Sequence, residues 1–130
     1  MQVLHSRKEE NHDTLCEEIL RERAAVLSRA GKAVEDIVSE LTKLNHDIEI
    51  KINHLEALKR HKQNKGSLNL QQAIIAEINA EIDQFNAVRK MAQLKYYYLI
   101  VTREALGLRR HDMIREIYVI PLNKKQVQAA

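Results

Sequence analysis

The chain has almost none of the residues that break helices: one Pro and three Gly in 130 residues. Pro removes a backbone donor and clashes with the preceding turn, and Gly loosens the backbone, so their scarcity points to long uninterrupted helices. Aromatic residues are few, with four Tyr, one Phe and no Trp, which leaves Leu, Ile, Val and Ala to make a core. A single Cys excludes an intramolecular disulfide and fits a reducing compartment. The longest unbroken apolar run, Tyr96 to Val101, is far too short to cross a bilayer. The first ten residues carry no apolar stretch of the kind a secretory signal needs, so cytoplasm is the expected location. A dominant charge is missing too. The 21 Lys and Arg against 18 Asp and Glu leave a formal net charge of +3, which permits nucleic acid or an anionic membrane as partner and calls for neither.

What is present is a heptad repeat. Leu20, Leu27, Val34, Leu41, Ile48 and Leu55 recur at spacing seven, and Cys16, Arg23, Ala30, Ile37, Leu44, Lys51 and Leu58 form the second row of the same stripe. That spacing keeps one face of a helix turned to one partner. The phase runs through Gly31 and through Asn45-His46-Asp47 without a slip, which predicts one helix over 14–62. Residues 1–12 read as a polar lead, frayed or loosely helical. Ser6 with Glu9 and Thr14 with Glu17 both have capping-box spacing, and the apolar period starting at Leu15 favours Thr14. The cations of Lys59 to Lys65 followed by Gly66 suit a helix end.

A second helix follows over 68–106, capped by Ser67 or Asn69, with Ile78, Phe85, Ala92, Leu99 and Leu106 at spacing seven. Gly107 and Leu108 fit a left-handed cap with its apolar contact. A short third helix is expected over 112–118, with Met113, Ile114, Ile117 and Tyr118 inward, ended by Pro121. The fold class is therefore all-α and a single domain over 1–130: a long antiparallel, coiled-coil-like helical hairpin plus a short C-terminal helix. The end carrying Tyr96 to Val101 is expected to be the thicker one, since six consecutive apolar residues cover every side of a helix. At the other end Ile50, Ile52, Ile74 and Ile75 flank the seam, which two helices alone cannot bury. Together with Ile78 and Ile82 they are the candidate interface of a homodimer, in which two hairpins form a four-helix bundle.

Chemistry is sparse. His46, His54 and His61 lie on one side of the first helix, but a metal in a bundle wants ligands on adjacent turns; the only such pair, Glu9 and His12, falls in the polar lead. Cys16 sits at a seam position as a small core residue, and the isolated glycines make no phosphate loop. Neither metal nor cofactor is expected, and no catalytic residues are assigned. Lys59, Arg60, Lys62 and Lys65 at the hairpin tip are the candidate anion contact, although helix-end electrostatics already accounts for them. Arg103, at a seam position, is placed to reach Glu17, Glu18 or Glu22 across the hairpin.

Two segments carry a resemblance. Residues 15–35, from Leu15-Cys16-Glu17-Glu18-Ile19-Leu20 to Leu27-Ser28-Arg29-Ala30-Gly31, form the first. The second is Arg103-Glu104-Ala105-Leu106-Gly107-Leu108-Arg109 with Tyr118-Val119-Ile120-Pro121. Together they resemble a family of small uncharacterised bacterial all-helical proteins with an "EIL–EQA–LGRAG" opening and a "REA-GLR…IP" ending. The likeness covers about 15–44 and 99–121, and the arm between them, about 45–85, is longer here. It implies shared architecture without an activity, and marks Arg103, Glu104, Gly107 and Arg109 as a shared structural or ligand element. The expected function is that of a non-enzymatic homo-oligomeric scaffold or adaptor acting through protein–protein contacts. The alternative is a small anion- or nucleic-acid-binding protein using the tip at 59–65.

Overall fold

A computed structural model describes residues 2–61 and 65–128, with side chains from Arg7 onward. It contains three helices, α1 (Gln2–Arg60), α2 (Lys65–Ala105) and α3 (Asp112–Ile117), and no strand among the described residues. The two long helices pack against each other as a hairpin. Helix α1 is unbroken through Asn45-His46-Asp47, with Asn45 half-buried and His46 and Asp47 exposed, as the uninterrupted heptad phase requires.

The seam is largely apolar and buried. Val34, Leu41, Ile48 and Leu55 of α1 meet Ile74, Ile78, Ile82, Phe85, Ala92 and Leu99 of α2 in a buried row. Lys51 breaks the apolar row and reaches across the hairpin to Glu81, with Nζ 2.5 Å from Oε1, and lies 3.8 Å from Glu77. A charged pair at one level penalises a one-heptad slip that an all-aliphatic seam would tolerate.

Four expectations are corrected. Helix α1 begins at Gln2, not near Thr14: the lead contains no Gly or Pro, and half of residues 2–13 (Gln2, Leu4, Arg7, Lys8, Glu9 and Glu10) are good helix formers without apolar periodicity. The Thr14 hydroxyl therefore does not cap; it donates back to the Glu10 carbonyl at 2.9 Å, as a mid-helix Thr does. Gly66 lies within the first turn of α2 and does not take a left-handed cap; Lys62, Gln63 and Asn64 lie outside the described residues. Finally, the end holding Tyr96 to Val101 is not thick. Leu99 is buried, but Tyr97, Tyr98 and Val101 are exposed, and α3 has no buried residue. A helix of six residues is too short to cover the sides of α2 that α1 leaves open.

The covering comes from elsewhere. After Pro121 the chain runs extended as a strap, back along the hairpin over residues 121–128. Ile120 and Val127 pack on the core cluster, and the Lys124 ammonium sits 5.0 Å above the Phe85 ring. Beyond the C-terminal end of α2 nothing covers α1: every described side chain from Arg7 to Val26 is exposed, and Leu27 is the first half-buried one. Counting equally along both helices from the Lys51 bridge explains this, since Ala105 falls level with about Ala25 at the equal rise of two α-helices.

The end of α2 follows the expected cap. Leu108 N–H bonds to the Arg103 carbonyl at 2.9 Å and Gly107 N–H to the Glu104 carbonyl at 3.0 Å, the paired bonds of a Schellman motif. Gly107 has φ +87° with nothing near a built Cβ, whereas a Cβ on helical Gly31 would meet only the Tyr118 hydroxyl at 3.9 Å. The same substitution should therefore act with opposite signs. Gly107→Ala is expected to cost about 1–2 kcal/mol by forcing a left-handed conformation on a side chain. Gly31→Ala is expected to add about 0.5–1 kcal/mol by restricting the unfolded chain. Urea unfolding of both variants checks the pair.

Candidate functional site

Three surfaces of α2 have different fates, and they organise what this molecule can do. The stripe through Ile74, Ile78, Phe85, Ala92 and Leu99 faces α1. A second stripe, Ile75, Asn79, Ile82, Asn86 and Arg89, carries the strap. The third, Ala87, Met91, Leu94, Tyr98, Val101 and Ala105, is exposed along its whole length.

The strap is held by side-chain amides. Asn86 accepts the Lys124 N–H at 2.9 Å and donates to the Lys124 carbonyl at 3.0 Å. Asn79 repeats the arrangement on Val127, at 2.7 and 3.0 Å. An extended segment that joins no sheet must find partners for its N–H and C=O groups, and each Asn supplies both, as a neighbouring strand would. The spacing is commensurate: seven helical residues rise about 10.5 Å, and three extended residues span about 10 Å. Between the rungs, Gln126 donates to Asp83 at 2.8 Å. Arg89 secures the start through Nε to the Pro121 carbonyl at 2.6 Å and Nη1 to Asn123 Oδ1 at 3.2 Å.

Arg103, Glu104, Gly107 and Arg109 lie at the corner where α2 ends. Arg103 Nε donates to His111 Nδ1 at 3.3 Å and its Nη2 to the Arg110 carbonyl at 2.9 Å. With Nδ1 accepting, the ring proton is left on Nε2, which donates to Glu104 Oε1 at 3.2 Å. Arg103 thus holds the turn and does not reach Glu17, Glu18 or Glu22, which lie on the uncovered end of α1. Gly107 supplies the left-handed residue and Arg109 is exposed. His111 was not singled out by the sequence; its place seven residues after Glu104, just beyond a Gly cap, was the available signal.

The other candidates are dispersed. Of the six Ile residues proposed as an interface, Ile74, Ile75, Ile78 and Ile82 are buried within the chain, Ile52 is half-buried and Ile50 alone is exposed, at 53%. The area argument for a dimer through the arm therefore fails: the chain's own fold, with the strap on the Ile75–Ile82 stripe, has already taken that surface. At the tip, Lys59 and Arg60 occupy the last turn of α1 and Lys65 the start of α2, all exposed, and Lys62 lies outside the described residues. Among the described residues no three His, Cys, Asp or Glu side chains converge as a metal would need, and no helix is long and apolar enough to cross a membrane. Cys16 is exposed on the bare end of α1, 3.7 Å from His12 one turn earlier. The chain matches no protein-family model, no curated protein and no solved structure.

The amide ladder is open to a direct test. Asn86→Asp keeps the shape but turns a donor into a carboxylate oxygen facing the Lys124 carbonyl, and should cost about 1–3 kcal/mol. Hydrogen exchange should find the Lys124 and Val127 amides protected in the wild type and both faster in the variant, because the carboxylate still accepts the Lys124 N–H but repels its carbonyl and so loosens the whole strap; equal rates would dissolve the ladder. The Lys51 bridge predicts a pH signature. The hydrogen bond that Lys51 donates to Glu81 holds the Lys51 pKa above its ordinary value of 10.5, with further help from the charges of Glu81, Glu77 and Asp47. Because the folded value is raised, the bridge contributes fully through the neutral range and is lost only as the pH climbs past 10.5. Glu81→Gln should lower stability at neutral pH and flatten the alkaline limb of a stability–pH curve.

Proposed function

We propose that this chain is a non-enzymatic helical scaffold that associates with itself through the outer face of α2 and the uncovered end of α1. One observation carries the reading. Met91, Leu94, Tyr98 and Val101 stand at the alternating three- and four-residue spacing of a packing seam, with Ala87 and Ala105 continuing it, and the four large side chains are 41–51% exposed. No charged residue interrupts the row. An apolar stripe on a helix belongs against a neighbour, and α2 has neighbours on two of its three faces. Burying one such side chain is worth about 1.5–3 kcal/mol, so a row of four, given once by each copy, suits a two-fold interface. Leu15, Ile19, Leu20 and Val26 on the bare end of α1 add a second apolar surface, each at least 40% exposed.

The nucleic-acid alternative has no comparable support. Lys59 and Arg60 lie in the last helical turn, where cations offset the carbonyl end of the dipole, and the tip contributes no aromatic platform.

Light scattering at micromolar concentration should give a dimer mass. Leu94→Glu with Tyr98→Glu alters only surface-exposed positions, so circular dichroism should be unchanged while association weakens more than about a hundredfold, as expected for two central interface residues. A monodisperse wild-type monomer would refute self-association. Tight binding to random nucleic acid with a steep salt dependence would favour the tip instead.

A further inference from the structure

We infer that the strap closes a binding site for a small apolar monocarboxylate, with the Lys124 ammonium as the group that takes the carboxylate. The site shares no residue with the outer row of α2, so this inference stands apart from self-association.

Three elements frame the space. Where the chain passes from α3 into the strap, it leaves a half-open cavity of about 250 Å³ between α1, α2 and itself. Val38 and Leu41 of α1, Phe85 of α2, and Pro121 and Leu122 of the strap supply apolar walls, and no acid is among the lining residues. Leu41 and Phe85 are 1% exposed and Leu122 is 83% exposed, so the floor is packed and the rim is open. An engineered apolar cavity of about 150 Å³ holds benzene. This one has room for a ring, or a short chain, that also carries a carboxylate.

The polar groups on the wall are engaged, with one exception. The Thr42 hydroxyl donates to the Val38 carbonyl at 3.0 Å, and the Asn45 amide to Glu49 at 3.2 Å. Lys124 lies over the Phe85 ring, 5.0 Å from its centroid, and belongs to none of the ion pairs among the described residues. A ring face attracts a cation but is a poor hydrogen-bond acceptor. The three donors of the ammonium therefore have no anionic partner within the chain.

The backbone that carries this cation is fixed. Asn86 takes both the N–H and the C=O of Lys124, and Arg89 holds the strap three residues earlier, at Pro121. A half-buried ammonium anchored in this way, beside apolar walls, pairs with a carboxylate more strongly than a mobile surface lysine does. The ligand must then carry one negative charge on an otherwise apolar body. A sugar acid would set hydroxyls against Val38, Leu41 and Leu122, where nothing pairs with them.

Titration of the full chain with benzoate, followed by amide NMR, tests the assignment. Benzoate should give saturable shifts at Leu41, Leu122 and Lys124. Acetate lacks the apolar body and benzyl alcohol lacks the charge, so each should bind at least about tenfold more weakly. Lys124→Met keeps the aliphatic stem and should abolish the preference for benzoate over benzyl alcohol, whereas Lys124→Arg should retain it. Unchanged circular dichroism and a protected Val127 amide show that the strap is still in place in both variants. Equal affinity of the wild-type chain for benzoate and benzyl alcohol, a reading that needs no variant, overturns the assignment. So do the absence of saturable shifts, shifts centred on Lys59, Arg60 and Lys65 at the tip, or a benzoate preference that survives Lys124→Met.

Discussion

A helix in a hairpin buries roughly a third of its circumference against its partner, and how the remaining surface is covered shapes everything else in this molecule. For α1 beside α2 the flanks are largely polar, and water serves. For α2 they are not, since the Ile, Ala and Asn that surround its seam offer few charges. The chain's own extended segment covers one flank over the middle of the hairpin, which is why the core is continuous from Leu41 to Leu55 and from Ile74 to Ala92. The other flank is left to solvent. The contrast between a flank that is covered and one that is not, on a single helix, is the feature from which any function must be read.

The strap changes the energetics as well as the coverage. An extended segment beside a helix makes no regular hydrogen-bond network, and each unpaired buried amide or carbonyl would cost on the order of 1–3 kcal/mol. Two asparagines a heptad apart remove four such debts in the backbone. They occupy helix-interior positions for which Asn is a weak former; the gain outside the helix offsets the loss within it.

Much of the fold was legible because heptad spacing is a long-range signal written in every turn. Six aliphatic residues in phase carried α1 through Gly31 and past Asn45, and Gly107 followed by Leu108 announced the end of α2. The lead differs from expectation because apolar periodicity marks packing, and a helix can run on through polar residues such as Arg7, Lys8, Glu9 and Glu10 where nothing packs. The arm was misjudged because the partner of its extra Ile residues lies some forty positions away and is an extended segment with no period of its own; Asn79 and Asn86, two poor helix formers seven apart inside an apolar helix, were the trace it left. The exposed row from Ala87 to Ala105 was present in the sequence as a second three-four alternation, masked by the stronger one beside it.

The continuity of α1 has a mechanical consequence. At about 1.5 Å per residue its 59 residues form a rod close to 90 Å long, clamped over its second half by α2 and free over the first. It contains no proline, and its one glycine, Gly31, sits within the clamped region against Tyr118. With no hinge between the two halves, the direction of the free end is prescribed by the hairpin from which it projects. Whatever the free end grips is held at a set bearing and a set distance, as by a bracket and not by a tether.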